Sequence, residues 1–213
     1  PMANRATKEI YPPGSTFKLI TSAAALEGDL TPDSIIDASS YQLPGSTRVI
    51  SGYCGGSQIT LAQALKVSCN PGFARLGVSL GQDALRTQAE KFGFGTSFLS
   101  DIGGAASKFP DELDDAQTAM SAIGEFEVAA TPLQMAMVAA AVQNGGVVME
   151  PYLVESVQTH DMRVISQARP RQHGTAVSES VADSLHDMMV SVVENGTGRR
   201  AQISGLTIGG KTG

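Results

Sequence analysis

The chain has 213 residues, 42% hydrophobic and 17% charged, which suits a globular protein with a sizeable core and excludes a low-complexity, disordered chain. Its formal net charge is −6 and its only basic doublet is Arg199-Arg200, so it lacks the electrostatic footprint of a nucleic-acid-binding protein. The most apolar run, Met135 to Val142, is far too short to cross a bilayer, and no signal peptide is visible.

In chain order, the turn-rich lead Tyr11-Pro12-Pro13-Gly14 precedes Phe17, Ile20 and Ala24 at helical spacing, which predicts a helix over residues 15–27 closed by Gly28. Residues 29–59 read mostly as loop, punctuated by Pro32, Pro44, Gly45, Gly52, Gly55 and Gly56. Thr60-x-x-Gln63 has the form of a capping box and starts a helix that halts near Asn70-Pro71. Further helices are predicted over 73–80 and 84–92, then an irregular stretch over 93–115 that ends in the acidic run Asp111-Glu112-Leu113-Asp114-Asp115, read as a solvated loop. Thr131-Pro132-Leu133-Gln134 is the strongest helix start, because a cap residue, a proline in the first turn and a reciprocal glutamine coincide. That helix runs to Asn144 and stops at Gly145-Gly146. Residues 147–157 predict a strand or hairpin arm, residues 178–194 a long helix, and residues 206–212 a last strand.

The final nine residues, GLTIGGKTG, admit two readings. Gly205, Gly210, Lys211 and Thr212 satisfy the phosphate-loop pattern G-x-x-x-x-G-K-[ST], which needs a strand before the first glycine, turn conformations inside the loop and a helix behind it to receive the phosphate. Here Leu206, Thr207 and Ile208 are strand formers within the supposed loop, and the last two are β-branched and resist the required backbone angles. No nucleotide is therefore expected. The other reading takes Lys211-Thr212-Gly213 as a K-T-G triplet on a strand, and that reading demands partners elsewhere.

Those partners exist. Ser15-Thr16-Phe17-Lys18 is the only S-x-x-K in the chain, and Ser68-Cys69-Asn70 is the only S-x-N. Each triplet alone is weak; in the order S-x-x-K, S-x-N, K-T-G they point to serine acyl transfer. A serine hydroxyl needs a base within hydrogen-bond reach, and helical spacing places Lys18 beside Ser15. Lys18 is the only charged residue between Glu9 and Glu27, so burial is expected to lower its pKa and let it lose its proton. The plainer reading, a capping Ser15 and a lysine reaching out to water, would prevail without the other two motifs.

With these motifs in place, the sequence resembles the transpeptidase domain of class B, monofunctional penicillin-binding proteins. NRATKEIYPPGSTFK, TLAQALKVSCNPGFARLG, AATPLQMAMVAAAVQNGG and GTGRRA carry the likeness, which spans nearly the whole chain. The resemblance implies an α+β fold shared with serine β-lactamases, an antiparallel sheet flanked by helices. Residues 1–213 are expected to be one such domain, cut at both ends, supplying mainly the helical part and the K-T-G strand.

The resemblance also implies roles. Ser15 is the nucleophile, Lys18 its base, Ser68 a proton relay towards the leaving group, and Asn70 a holder of a substrate amide. Lys211 supplies positive potential, Thr212 contacts the substrate carboxylate, and Gly213 lies on the substrate-binding edge. The oxyanion donors would be the Ser15 N–H and an N–H beyond Gly213. The implied activity is D,D-transpeptidation of peptidoglycan stem peptides, with β-lactams acylating the same serine and with no metal or organic cofactor. Further implications are cell-wall synthesis partners, and a membrane anchor outside this segment that holds the protein on the extracytoplasmic face. Competing readings are a serine β-lactamase, a D,D-carboxypeptidase or a non-catalytic β-lactam sensor.

Departures bear on that choice. A class A β-lactamase carries its deacylating glutamate in an E-x-E-L-N loop, where the nearest stretch here starts at Phe109 and ends at Asp114. Class B proteins usually show G-Q-G where this chain has Gly124-Glu125-Phe126, which leaves open whether Glu125 or Glu127 reaches the cleft. Cys54 and Cys69 are compatible either with one disulfide in an oxidising compartment or with two partly buried free thiols. His160, His173 and His186 lie thirteen residues apart, not at metal-ligand spacing, and read as surface or loop residues. Met120, Met135, Met137, Met188 and Met189 fall on helical faces and read as core filler.

Overall fold

A computed structural model describes residues 4–213. The elements run α1 (Arg5–Lys8), a 3-10 turn (Gly14–Phe17), α2 (Lys18–Glu27), β1 (Ile35–Asp37), β2 (Tyr41–Gln42), β3 (Val49–Ile50), β4 (Gln58–Thr60), α3 (Leu61–Lys66) and α4 (Asn70–Leu80). Then follow α5 (Gln82–Lys91), a 3-10 turn (Ser100–Ile102), α6 (Asp115–Ser121), α7 (Pro132–Gln143), β5 (Val147–Met149), β6 (Ser156–Gln158), β7 (Val164–Gln167), β8 (Gln172–Thr175), α8 (Glu179–Asn195) and a 3-10 turn (Arg199–Ala201). The architecture is α+β and dominated by helices.

Helix α2 is the axis of the molecule. Every residue from Lys18 to Leu26 is buried, the polar Lys18, Thr21 and Ser22 included, so the helix is enclosed on all faces. It packs against α3, α4, α5 and α8. Just ahead of it, the fully buried Phe17 ring meets Phe94 edge-on and stacks on Phe109, both with centroids 5.8 Å away. Burial of such a side chain stabilises the fold by roughly 1.5–3 kcal/mol, and this aromatic cluster fixes the base of the turn that carries Ser15. On the far side α4 closes on the end of α6 at Gly77, where a Cβ would lie 2.1 Å from that of Ala122.

Among the described residues the strands form four two-stranded antiparallel ladders, β1 with β4, β2 with β3, β5 with β8 and β6 with β7. Residues 29–59, expected as loop, thus contain most of two ladders. Their strands are two or three residues long, too short for an alternating pattern to register. The expected hairpin arm over 147–157 is split into β5 and the start of β6, separated by a non-strand stretch.

Three further expectations need correction. Residues 206–212 are not a strand: a strand is defined by its ladder, and among the described residues none pairs with this segment. It lies instead along α8, where Gly210 N–H donates to Met189 O over 3.1 Å. The acidic run is only partly loop, because Asp114 caps α6 in a reciprocal box with Gln117 and Asp115 stands in the first turn, where a negative charge complements the helix dipole. Asn70 does not close a helix. It opens α4, with Pro71 in the first turn, where a missing N–H costs nothing.

Candidate active site

Ser15 occupies the 3-10 turn, and Lys18 begins α2 directly behind it. In a 3-10 turn residues three apart eclipse one another, so the lysine stands over the serine more directly than an α-helix would place it. Lys18 Nζ lies 2.8 Å from Ser15 Oγ. Its other partners are Ser68 O at 2.9 Å, Ser68 Oγ at 3.1 Å and Asn70 Oδ1 at 2.5 Å. The Phe73 ring lies beneath it, 5.7 Å from the amine.

The α3–α4 corner delivers Ser68 and Asn70. Ser68 N–H donates to Leu65 O and Cys69 N–H to Ala64 O, the paired bonds of a Schellman ending. That ending needs a left-handed residue, usually glycine, and Ser68 fills it at φ +58°. A non-glycine residue there costs on the order of 1–2 kcal/mol, and such strain concentrates where a side chain must be aimed. Cys69, the next residue, is joined to Cys54 by a disulfide with Cα atoms 4.9 Å apart, which ties the corner to the β3–β4 connection.

Lys211 arrives from the other end of the chain. Its Nζ donates to Ser68 Oγ over 2.9 Å and to Thr212 O over 2.9 Å. Ser68 Oγ thus lies between two amines. Thr212 Oγ1 is 2.8 Å from Thr197 Oγ1. Gly213 lies against the Ser15 turn, where a Cβ on it would come within 3.2 Å of Thr16 Cγ2. All seven residues singled out for chemistry, Ser15, Lys18, Ser68, Asn70, Lys211, Thr212 and Gly213, therefore lie in one group. Sequence reading gave Thr197 no role, although the GTGRRA stretch drew attention to its neighbourhood.

Burial, and secondarily the Lys211 charge, lower the Lys18 pKa from 10.5 to about 7, while Glu125 acts in the opposite direction. Burial lowers the Lys211 pKa to about 8. The hydrogen-bond inventory then fixes what a neutral Lys18 can do. Ser68 O and Asn70 Oδ1 can only accept, so they claim the two protons of the neutral amine. Its lone pair is left for a hydroxyl proton, and the nearer hydroxyl is Ser15.

Gly14 N–H donates to Gly124 O over 3.0 Å, and a Cβ on Gly124 would collide with the Gly14 backbone. Glu125 therefore leaves the chain beside the Ser15 turn, within electrostatic range of Lys18. Glu127 points elsewhere, into a surface depression with Arg86, Glu90, Asp111 and Glu112. In the register of E-x-E-L-N that ends at Asp114 the first glutamate position falls on Pro110, and Phe109, the residue before it, is stacked on Phe17. None of the histidines bonds to this group. His160 is exposed, His173 packs edge-on against Phe98, and His186 lies half-buried on α8.

A helix-borne serine and lysine, a serine and asparagine at a helix corner, and a lysine-threonine pair from a distant segment define a serine acyl-transfer site of the penicillin-recognising kind. The chain belongs to the penicillin-binding-protein transpeptidase family, class B: residues 1–213 match the profile described as "Penicillin binding protein transpeptidase domain". It is 42% identical to the peptidoglycan D,D-transpeptidase PbpA of Mycolicibacterium smegmatis, over all of this chain and 45% of that protein. Stage V sporulation protein D of Bacillus subtilis is 34% identical over 95% of this chain and 32% of its own length. Among solved structures, penicillin-binding protein A from M. tuberculosis in its imipenem acyl-enzyme complex superposes with a TM-score of 0.92 at 39% identity, covering 99% of this chain and 50% of that one. The chain spans about half the length of the relatives it matches.

Proposed function

We propose that the protein is a peptidoglycan D,D-transpeptidase acylated on Ser15. The observation that carries the reading is the Lys18 amine, 2.8 Å from Ser15 Oγ with two carbonyl oxygens competing for its protons. Neutral Lys18 takes the Ser15 proton as Oγ attacks the penultimate D-Ala carbonyl of a stem peptide. The Ser15 N–H stabilises the resulting oxyanion. Ser68, between the Lys18 and Lys211 amines, passes a proton to the departing D-Ala nitrogen. An amine from a second stem then attacks the ester, and the same relay runs in reverse.

Asn70 Oδ1 is engaged by Lys18, so its Nδ2 is the group that donates to a substrate carbonyl. Thr212 and Lys211 hold the terminal carboxylate of the donor peptide, and Gly213 gives the substrate backbone close approach to the Ser15 turn. A β-lactam, whose ring carbonyl and carboxylate mimic the same dipeptide, acylates Ser15. The M. tuberculosis relative has been captured as such acyl-enzymes with imipenem and with penicillin G. No metal or organic cofactor takes part in these steps. The match to cell-wall synthesis enzymes supports a place in the cell envelope, on the extracytoplasmic face, among other cell-wall proteins. Among the described residues no helix is long and apolar enough to cross a membrane, and the reading assigns anchoring to another part of the protein.

Pro110 at the first-glutamate position, behind a Phe109 ring stacked on Phe17, supports transfer over hydrolysis, because class A β-lactamases place there the carboxylate that activates water. Glu125 keeps a slow hydrolytic branch, as in a D,D-carboxypeptidase, in competition. Incubating the intact protein with an acylated D-Ala-D-Ala peptide and an amine acceptor separates the two: the reading requires crosslinked product to dominate at high acceptor. Release of free acid alone, independent of acceptor, would replace transpeptidase with carboxypeptidase.

A further inference from the structure

We propose that Thr197 is a positioning residue that orients the Thr212 hydroxyl for the substrate carboxylate; this rests on the reading of Thr212 as a carboxylate contact. The two hydroxyl oxygens lie 2.8 Å apart, and either can be the donor. The choice matters. If Thr212 donates to Thr197, its proton is spent and it offers a carboxylate only lone pairs. If Thr197 donates, the Thr212 proton is free to point at the anion. Lys211 Nζ, 3.5 Å from Thr212 Oγ1, polarises that hydroxyl and makes it a better donor. An arriving carboxylate selects the second arrangement, because only there does the Thr212 proton reach the anion, and donors in series strengthen one another.

Thr197 is held rigidly enough for this task. Gly196 N–H and Gly198 N–H both donate to Val192 O, at 3.1 and 3.0 Å, and Thr197 N–H donates to Lys66 O at 3.3 Å. A Cβ on Gly196 would lie 2.4 Å from Lys66 O, so the G-T-G turn admits no side chain at its first position. The turn thereby joins the end of α8 to the end of α3, two residues before Ser68. A closed circuit results, from Ser68 through Lys66, Thr197, Thr212 and Lys211 back to Ser68. Each link is a hydrogen bond or a short run of chain. The carboxylate grip and the proton relay are held in register by one threonine at the middle of a turn that the sequence marked only as part of the family likeness.

The test compares penicillin G with its methyl ester, in which the carboxylate is masked, as acylating agents of the intact protein and its variants. The readout is the ratio of the two acylation rate constants on one preparation, which cancels any loss of folded protein. Thr197→Val is expected to lower that ratio about tenfold, the kinetic equivalent of one net hydrogen bond. Thr197→Ser, which keeps the hydroxyl, should stay within about twofold to threefold of the parent. An unchanged ratio in Thr197→Val, whether both rates fall together or neither does, would overturn the proposal. Thr212→Val, run in parallel, separates two failures. A ratio that falls in Thr212→Val but not in Thr197→Val removes Thr197 alone, and a ratio unmoved in both removes the carboxylate reading of Thr212 together with the proposal built on it.

Discussion

Lys211 Nζ donates to Ser68 Oγ over 2.9 Å although 143 residues separate them in the chain. Because Ser68 Oγ is also 3.1 Å from Lys18 Nζ, the two amines share one hydroxyl. Only one of them can comfortably carry its charge, and the geometry favours Lys18 as the neutral member.

The pH dependence of acylation follows. The Lys18 pKa of about 7 results from burial first and the Lys211 charge second, opposed by Glu125. The acid limb of the penicillin acylation rate should therefore have its midpoint near that value. Lys211→Gln, which removes a positive neighbour, should move the midpoint to higher pH. Glu125→Gln, which removes a negative one, should move it to lower pH. Stopped-flow acylation across pH 5–9 measures all three, and a midpoint unmoved by both substitutions would assign the limb to another group.

Stability carries the same signature. Lys18 titrates near 7 in the folded chain, against 10.5 for an unperturbed lysine. Below pH 7 it is charged in both states, and the folded state bears the full cost of burying that charge. As pH rises from 7 towards 10.5 the unfolded chain holds more protons, so stability rises. Lys18→Met should accordingly stabilise the protein most below pH 7, with the advantage shrinking towards pH 10.5. Denaturant titrations of both proteins over that range give the difference directly; a gap that does not change with pH contradicts it.

Ser68 trades stability for aim. Its φ of +58° suits glycine, so Ser68→Gly should be more stable than Ser68→Ala by up to about 1 kcal/mol. Both should acylate far more slowly than the parent, because both lack the hydroxyl between the two amines. Thermal melts and penicillin labelling of the pair would show this. Equal stability of the two variants would mean that the corner relaxes.

The disulfide secures that corner. Cys54 and Cys69 close a loop of 15 residues, a length at which a bridge stabilises by roughly 3 kcal/mol in the chain-entropy account. Cys54→Ser should lower the unfolding free energy by an amount of that order. Non-reducing peptide mapping checks the bridge itself, and two freely alkylated thiols would exclude it.

The chemistry of the site was legible in the sequence and its scaffolding was not. Ser15 and Lys18 could be paired from spacing alone, because a helical repeat is a local property. The uniqueness of Ser68-Cys69-Asn70 and Lys211-Thr212-Gly213 did the rest, even with distant segments. What escaped was non-local or very short. The K-T-G run is not paired in a ladder because pairing depends on a neighbour, not on the β-propensity of Leu206, Thr207 and Ile208. The left-handed Ser68 could not be foreseen, since nothing in a serine announces φ > 0. Asp114-x-x-Gln117 was readable as a helix start, but its surrounding charge made it look like a solvated loop.

Intact-mass analysis after penicillin treatment, followed by peptide mapping, tests the central claim most directly. A single stable adduct on the peptide containing Ser15, absent in Ser15→Ala, is the result required. An adduct of the same mass retained by Ser15→Ala would place the nucleophile elsewhere and dissolve the mechanism built around Lys18.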